Sequence, residues 1–245
     1  MSSLALGVSR ATRERVFYTG FAWAVLVTVF VGFSRSFFLR PFFPDWPRPA
    51  EPIFILHGLV FTSWCVLLLA QVSLVRAART DVHRQLGVIA VVIAPAIVVL
   101  GVTGALIAAH RPTGFVGIPV PARQFLVIPL LDMTLFATFI ALALARRRDP
   151  QAHKRWMVLA TVNLLTAAIA RWPGVLQIGN PLVYFALTDL YIVALAVFDL
   201  RSRGRLHPVT LAGGLTIIAS QPLRLALSGT PAWMEFATWA TSLVA

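Results

Sequence analysis

The sequence predicts an all-α, polytopic membrane protein with seven transmembrane helices, its N terminus inside and its C terminus outside. Apolar residues make up 58% of the 245 residues, and charged residues only 12%. A soluble domain is nearer one-quarter charged, so lipid must cover part of this apolar surface. Two further patterns give the helix number and the orientation: the apolar residues fall into seven long runs, and arginines recur in every second connection.

Each apolar run is long enough to cross about 30 Å of hydrocarbon at about 1.5 Å per residue. Clusters of proline and glycine separate several of the runs, and Pro95 and Pro129 inside them predict kinks. The predicted spans are residues 16–36, 53–75, 84–109, 123–145, 154–172, 182–200 and 208–227. We therefore predict one transmembrane domain over residues 1–245.

The last segment, residues 231–245, is too short to cross a membrane. Its aromatic residues Trp233, Phe236 and Trp239 suit the boundary between lipid and water. The sequence therefore predicts an interfacial tail after the seventh span.

The basic residues predict the orientation. With the N terminus inside, 14 of the 21 lysines and arginines lie in cytoplasmic connections or at adjoining helix ends. These are Arg10, Arg13, Arg15, Arg76, Arg79, Arg84, Arg146, Arg147, Arg148, Lys154, Arg155, Arg201, Arg203 and Arg205. This alternation follows the positive-inside rule, so we expect a multi-pass protein of the cell inner membrane.

The same distribution bears on partners. The basic residues form short clusters between apolar runs rather than a continuous groove, so no nucleic-acid partner is expected despite the net charge of +12. The expected partner is the lipid bilayer. A membrane protein complex or a homo-oligomer stays open.

Three of the predicted inner connections contain arginines, an aspartate and then a histidine that opens the next helix. They read VRAARTDVHRQLG around His83, ARRRDPQAHKRWM around His153 and FDLRSRGRLHP around His207. One interpretation is a weak internal repeat of three helix pairs plus one further helix. The other is that short inner loops of membrane proteins are basic and carry an acidic helix cap.

Several of these motifs carry a resemblance. They are His57-Gly58, Trp64, Gln71, HRQLG at 83–87 and HKRWM at 153–157. Over about residues 30–172 the chain resembles a broad group of uncharacterised bacterial multi-pass inner-membrane proteins, which implies a membrane fold but no particular activity. In having histidines at helix ends it is also distantly similar to small haem-bearing membrane cytochromes. That similarity implies haem b or a transition metal as a cofactor.

Histidines give the first candidate site. Neutral imidazole is a common ligand of haem iron, zinc and copper, and we take His57, His83 and His153 as candidate metal ligands. His83 and His153 both open helices at the cytoplasmic side and form one candidate pair, and His57 with His110 forms another. The alternative is structural: a histidine in a basic inner loop binds carbonyls, lipid phosphate or a capping aspartate.

Polar residues within the predicted spans give the second candidate site. Each charge at bilayer depth costs roughly 2.5–3.5 kcal/mol, so an unpaired one is hard to retain. The candidates for a cavity or an ion-pair network are Asp132, Asp189, Arg171, Arg224, Asn163, Gln71 and Trp64. The charged members fall in the outer half, so we expect at least one aspartate to contact Arg171, Arg224 or His57. The alternative is an Asp–Arg brace that only holds helices together.

His57, Trp64 and Gln71 recur every seven residues along the second span, so they form one stripe that drifts by only ~20° per heptad. A polar stripe in lipid should face the interior of the bundle. Helix packing and a cavity explain this stripe equally well.

These sites lead to three hypotheses for the function. The first is a membrane protein that binds a metal or haem through helix-end histidines and serves redox chemistry or oxidase assembly. The second is a transporter or small-molecule-binding protein with a charged cavity in the outer half. The third is an accessory or structural subunit. No Walker A loop, H-E-x-x-H motif or nucleophile elbow occurs, so catalytic residues and enzymatic activity stay unassigned.

Overall fold

The computed structural model describes residues 9–47, 49, 51–116 and 118–244, and every regular element within them is helical. Residues 1–8 and Ala245, which belong to the predicted domain and tail, lie outside the described residues. The long helices are α1 (Arg10–Phe33), α2 (Ile53–Arg76), α3 (Thr80–His110), α5 (Val127–Ala145), α6 (Pro150–Ile169), α8 (Pro181–Arg203) and α9 (Pro208–Leu227). Shorter elements are a π-helical turn (Ser34–Phe38), a 3-10 turn (Arg40–Phe42), α4 (Ala122–Phe125), α7 (Val175–Ile178) and α10 (Pro231–Ser242).

A long helix lies over each of the seven apolar runs, with ends that differ from the predicted ones by up to six residues. Five spans are long and apolar enough to cross a membrane: Arg10–Phe38, Ile53–Arg76, Thr80–His110, Ala122–Ala145 and Pro181–Arg203. The other two long helices are less apolar, since α6 contains Lys154, Arg155 and Asn163, and α9 contains Gln221 and Arg224.

The long helices form a ring around a central one. Going round, α1 packs on α2, α2 on α3, α3 on α5, α5 on α9, α9 on α8 and α8 on α1. Helix α6 packs against four of these six helices, namely α1, α5, α8 and α9, and 12 of its 20 residues are buried. Because α6 is surrounded by protein, it can retain polar residues that lipid would not accommodate.

The two ends of the bundle differ in charge. Helices α1, α3, α6 and α9 begin at one end, and α2, α5 and α8 end there. We name this the arginine-rich end, because it contains the helix-terminal clusters around Arg10, Arg76, Arg146 and Arg203. We name the opposite one the cavity end, for the cavity described below.

Apolar side chains cover the outside of the ring. On α3, Val88, Val92 and Val99 are each more than 60% exposed, and Leu190 and Val193 on α8 are more than half exposed. Rows of large exposed aliphatic residues on long helices are costly in water, at about 25 cal/mol per Å² of apolar surface. Acyl chains of a membrane remove this cost.

Two glycines allow close approach at the cavity end. A Cβ added to Gly32 of α1 would collide with the backbone carbonyl of Ala168 on α6. A Cβ added to Gly58 of α2 would lie 2.5 Å from the ring of Phe37. Both residues therefore let a neighbouring element pack directly on a helix backbone.

The helices differ at the two prolines where kinks were predicted, Pro95 and Pro129. Helix α3 continues through Pro95, whereas the fourth apolar run is divided at Leu126 into α4 and α5. Pro129 has no N–H to bond the carbonyl of Phe125, which explains why the first helical turn ends there.

The C-terminal segment forms helix α10, which packs on α3 and α4. Trp233 is buried and its indole Nε1 donates to the carbonyl of Arg123 at 2.8 Å, while Trp239 stays exposed. The described part of the predicted tail is thus docked on the bundle through Trp233, and its place at the boundary between lipid and water stays a prediction.

Candidate functional site

A cavity of about 440 Å³ lies at the cavity end, between α1, α2, α3, α5, α6 and α8. Small-molecule sites commonly have volumes of about 300–1,000 Å³. The exposed Arg40 and Pro47 are among its lining residues, so the cavity reaches the protein surface. Its wall is mostly aromatic and aliphatic, and the aromatic lining includes Phe33, Phe37, Phe38, Phe54, Phe61, Trp64, Phe115, Phe125, Tyr184 and Phe185.

Few titratable side chains line this apolar cavity. They are His57, Asp132, Arg35, Arg40, Arg111 and Arg171, together with the weakly acidic Cys65 and Tyr184. Within the described part of the chain the lining therefore contains one carboxylate and four guanidinium groups.

Asp132 and Arg224 form a buried ion pair. Nη1 of Arg224 on α9 donates to Oδ1 of Asp132 on α5 at 2.6 Å, and the two residues are 2% and 6% exposed. Asn163 of α6 bridges them: its Nδ2 donates to the backbone carbonyl of Asp132 at 2.7 Å, and its Oδ1 accepts from Nη2 of Arg224 at 3.4 Å. Three helices therefore meet at one polar cluster.

The position of this pair follows from the cost of burying charge. Either ion alone would lose its hydration without compensation, and an arginine cannot escape by giving up its proton. Asp132 lines the cavity, whereas Arg224 does not. The pair thus places a neutralised carboxylate at the cavity wall and keeps its cation behind it.

Asp189, the other aspartate expected in the ion-pair network, has a different partner. Its Oδ1 accepts from Nε2 of Gln221 on α9 at 2.7 Å, and it forms no ion pair among the described residues. Gln221 lies one helical turn before Arg224, so α9 contacts both aspartates with neighbouring side chains. Asp189 does not line the cavity.

Arg171, expected as a second cation for the aspartates, lies elsewhere in the cavity wall. Its Nη1 donates to the carbonyl of Ala167 at 2.7 Å, and its guanidinium lies 5.2 Å from the ring centre of Phe33. No carboxylate of the described residues lies within 4.0 Å of it. Arg171 therefore presents its charge to the cavity rather than to Asp132.

The polar stripe of α2 is divided between two places. His57 stacks on Phe61 with ring centres 4.0 Å apart, and Trp64 donates from Nε1 to Thr161 of α6 at 3.0 Å. Both line the cavity. Gln71 lies farther along α2, near Gly87 of α3, and does not belong to the lining.

The three candidate metal ligands do not converge. Nδ1 of His57 lies 3.5 Å from the carbonyl of Leu100, and 17 residues of α3 separate Leu100 from His83, or about 25 Å of helix. His153 directs its Nδ1 to the carbonyl of Ala143 at 2.9 Å. The described residues contain no group of three or more His, Cys, Asp or Glu side chains arranged to hold a metal. A cofactor shared by His83 and His153 stays a prediction.

A second buried ion pair lies at the arginine-rich end. Arg155 of α6 and Asp199 of α8 are fully buried, and Nε and Nη2 of Arg155 donate to the two oxygens of Asp199. Arg155 also donates from Nη1 to the side-chain oxygen of Gln151 at 2.8 Å. The positive-inside pattern counts Arg155 among the cytoplasmic basic residues, at the start of the span predicted at 154–172, and it does not indicate that this side chain is buried. A signal was present, since Arg155 follows directly on the HK of the HKRWM motif and Asp199 ends an apolar run.

Asp199 also holds the start of α9. Its Oδ2 accepts from the backbone N–H of His207 at 3.1 Å and from the hydroxyl of Thr210 at 2.6 Å. His207 is the N-cap of α9, and its ring Nδ1 accepts from the N–H of Val209 at 3.1 Å. Burial, followed by the charges of Arg155 and Arg203, lowers the pKa of His207. The cap requires the neutral ring, because a protonated Nδ1 cannot accept.

The three histidine motifs occupy different structural positions. His207 caps α9 itself, whereas Asp149 caps α6, accepting from the N–H groups of Gln151 and Ala152. Nδ1 of His83 is buried, with no hydrogen-bond partner among the described residues. The capping interpretation therefore holds for α6, and the motifs do not form equivalent contacts.

The fold and these buried pairs define an α-helical integral membrane protein with a small cavity at one end. Residues 53–200 match the family described as "Predicted membrane protein (DUF2306)". The matched range covers more than half of the chain. The chain belongs to this family, and the expected resemblance to a group of uncharacterised membrane proteins is confirmed at that level. No curated protein and no solved structure matches it. The matched region contains Asp132 and Asn163, and Arg224 lies beyond it.

The Asp132–Arg224 pair predicts an asymmetric response to substitution. Asp132→Asn leaves Arg224 buried without its counter-charge, so the free energy of unfolding should fall by about 3–5 kcal/mol. The double variant Asp132→Asn/Arg224→Gln should recover much of this loss, because no unpaired charge remains. Thermal unfolding in detergent measures both effects.

Asp189→Asn is the matched control, because asparagine can still accept from Gln221. Its stability should change by about 1 kcal/mol or less. An unchanged unfolding temperature in Asp132→Asn would show that the ion pair does not stabilise the bundle.

The His207 cap predicts a pH dependence. An unfolded histidine has a pKa of about 6.5, and the folded value is lower, so the unfolded state binds the proton more tightly. This contribution to stability should therefore be fully present above the unfolded pKa of about 6.5. It should be lost as the pH falls from there through the lower pKa of the folded state. His207→Asn keeps a good N-cap that does not titrate, and should lose this part of the dependence. Unfolding temperatures of both proteins between pH 8 and pH 5 provide the comparison, and parallel curves would exclude His207 as the titrating group.

Proposed function

We propose that this protein binds a small, largely apolar molecule in the cavity at the cavity end, as a binding or transport protein of the membrane. The observation that carries the proposal is the cavity itself, of about 440 Å³, with an aromatic wall and a few polar groups on one side. A cavity of this size and composition is typical of small-molecule sites.

The polar groups support a ligand with a defined orientation. His57 is held by its stacking on Phe61, and Trp64 by its hydrogen bond to Thr161. Asp132 is held by Arg224. Side chains fixed in this way lose little freedom when a ligand binds, so the site is already organised for one.

We propose that the ligand enters from the cavity end, because buried side chains close the opposite side of the cavity. Trp64 is 2% exposed and packs edge-on against Phe136, which is fully buried, with ring centres 5.2 Å apart. These rings and the Asp132–Arg224 pair separate the cavity from the arginine-rich end. The exposed Arg40 and Pro47 lie at its opening.

We further propose that the seven long helices all cross the inner membrane as one domain over residues 1–245, with the arginine-rich end in the cytoplasm. Five spans meet the length and hydropathy of a membrane helix on their own. Helix α6 is enclosed by four neighbours, and α9 buries its charge on Asp132. This arrangement explains how both cross despite their polar residues.

Labelling of single cysteines tests the number of crossings. Gln177→Cys and Arg205→Cys place exposed thiols after α6 and before α9, and Cys65 is buried. A maleimide that cannot cross membranes should label intact cells at position 177 and only disrupted cells at position 205. If α6 and α9 did not cross, the two results would be exchanged.

Photolabelling tests ligand binding. A photoreactive decanol analogue, added to the protein in lipid nanodiscs, should label cavity residues of α2 and α3. Gly104→Leu should reduce this labelling about tenfold, because its side chain enters the cavity next to Phe54 and His57.

Gly87→Leu is the control: it makes the same change on the same helix, outside the lining. Labelling confined to lipid-facing residues such as Val92, or equal in all three proteins, would refute the proposal.

A further inference from the structure

The charge of the cavity wall points to the chemical class of its ligand. We infer that the ligand is an apolar carboxylate, and that Arg171 binds its carboxylate group side-on. This inference rests on the proposed function, since it names the class of molecule that the same cavity would take.

The cavity wall has an excess of positive charge. Among the described residues the lining has four arginines and one carboxylate: Arg111 pairs with Glu51 at 3.1 Å, and Asp132 is neutralised by Arg224. The other three arginines, Arg35, Arg40 and Arg171, form no ion pair with a described residue. In a site of low dielectric this excess favours an anion and disfavours a cation.

Arg171 has the geometry of a carboxylate-binding residue. The hydrogen bond from Nη1 to the carbonyl of Ala167 and the contact with Phe33 fix its guanidinium group. Its Nε and Nη2 make no hydrogen bond to the described residues, and neither is among the buried atoms without a partner, so both remain accessible. Because Arg171 lines the cavity, this edge can offer two parallel N–H groups to a bound carboxylate.

Arg35 has a different role. Its guanidinium lies 4.7 Å from the ring centre of Trp46 and 5.9 Å from that of Phe43, on the segment between α1 and α2. Stacked on aromatic rings near the exposed Arg40, it adds positive potential at the opening. Arg171 directly follows the end of α6 and provides the specific contact.

The rest of the cavity matches the remainder of such a ligand. Phe33, Phe37, Phe54 and Phe61 give an apolar wall suited to an aliphatic chain or a ring system. A single guanidinium edge matches a single negative charge, as in a carboxylate. The volume of about 440 Å³ suits one chain rather than a two-chain lipid.

Competition between an acid and its alcohol tests the inference. Wild-type protein in nanodiscs is labelled with the photoreactive decanol analogue at pH 8, with decanoate or decanol as competitor at equal mole fraction in the membrane. Decanoate should compete about tenfold more strongly, because its charge-assisted, bidentate contact adds to the same apolar burial. Equal competition would refute a carboxylate ligand.

Variants of Arg171 assign the contact. Arg171→Gln should abolish the preference for decanoate, while labelling and competition by decanol persist and show that the cavity is intact. Arg171→Lys keeps the charge without the bidentate edge and should retain only part of the preference. Arg123→Gln removes an exposed arginine at the same end, outside the lining, and should behave as wild type. A preference that survives in Arg171→Gln would overturn the assignment.

The two proposals can fail separately. If cavity residues are labelled but the acid and the alcohol compete equally, the binding proposal stands and only the carboxylate inference is wrong. If no cavity residue is labelled in wild-type protein, both are wrong.

Discussion

The buried pair of Asp132 and Arg224 is the interaction on which the cavity end depends. Hydrocarbon offers neither ion a replacement for water, so α5 and α9 must bring the two together. Asn163 places α6 in the same cluster through hydrogen bonds to both partners. At the arginine-rich end, Arg155 and Asp199 impose the same requirement on α6 and α8. The central helix is thus held by an ion pair near one end and, toward the other, by the hydrogen bonds of Asn163 to a second ion pair.

The pair also determines the electrostatic character of the cavity. Since Arg224 compensates Asp132 from behind, this carboxylate does not offset the arginines that line the cavity. Under the proposed function, the same contact is both a structural brace and part of the wall of the binding site. The alternatives of brace and functional cavity, which the sequence left open, need not exclude each other at this position.

Sequence patterns predicted the helices well, because a run of about 20 apolar residues has few ways to satisfy its backbone in lipid. They also predicted that Asp132 would need a cation, since the cost of a lone charge depends only on depth. They did not predict which arginine supplies it, because that depends on how helices distant in the chain pack. Arg155 shows the limit clearly: its place in a basic cluster at the start of a span indicated a cytoplasmic charge, and its burial depends on Asp199 of α8, which is distant in the chain. The cavity wall draws on six helices, so no local pattern could indicate it.

The contact between Arg111 and Glu51 has a mechanical consequence. It joins the residues just after α3 and just before α2 at 3.1 Å, so these two helices form a hairpin closed at both ends. Within the described chain the hairpin shares no ion pair with α6, and its polar link to that helix is the hydrogen bond from Trp64 to Thr161. Sliding the hairpin against α6 would strand no charge in hydrocarbon, whereas moving α5, α8 or α9 would. Among the described residues the hairpin of α2 and α3 is therefore attached to the central helix without a buried ion pair, unlike α8, whose Asp199 pairs with Arg155.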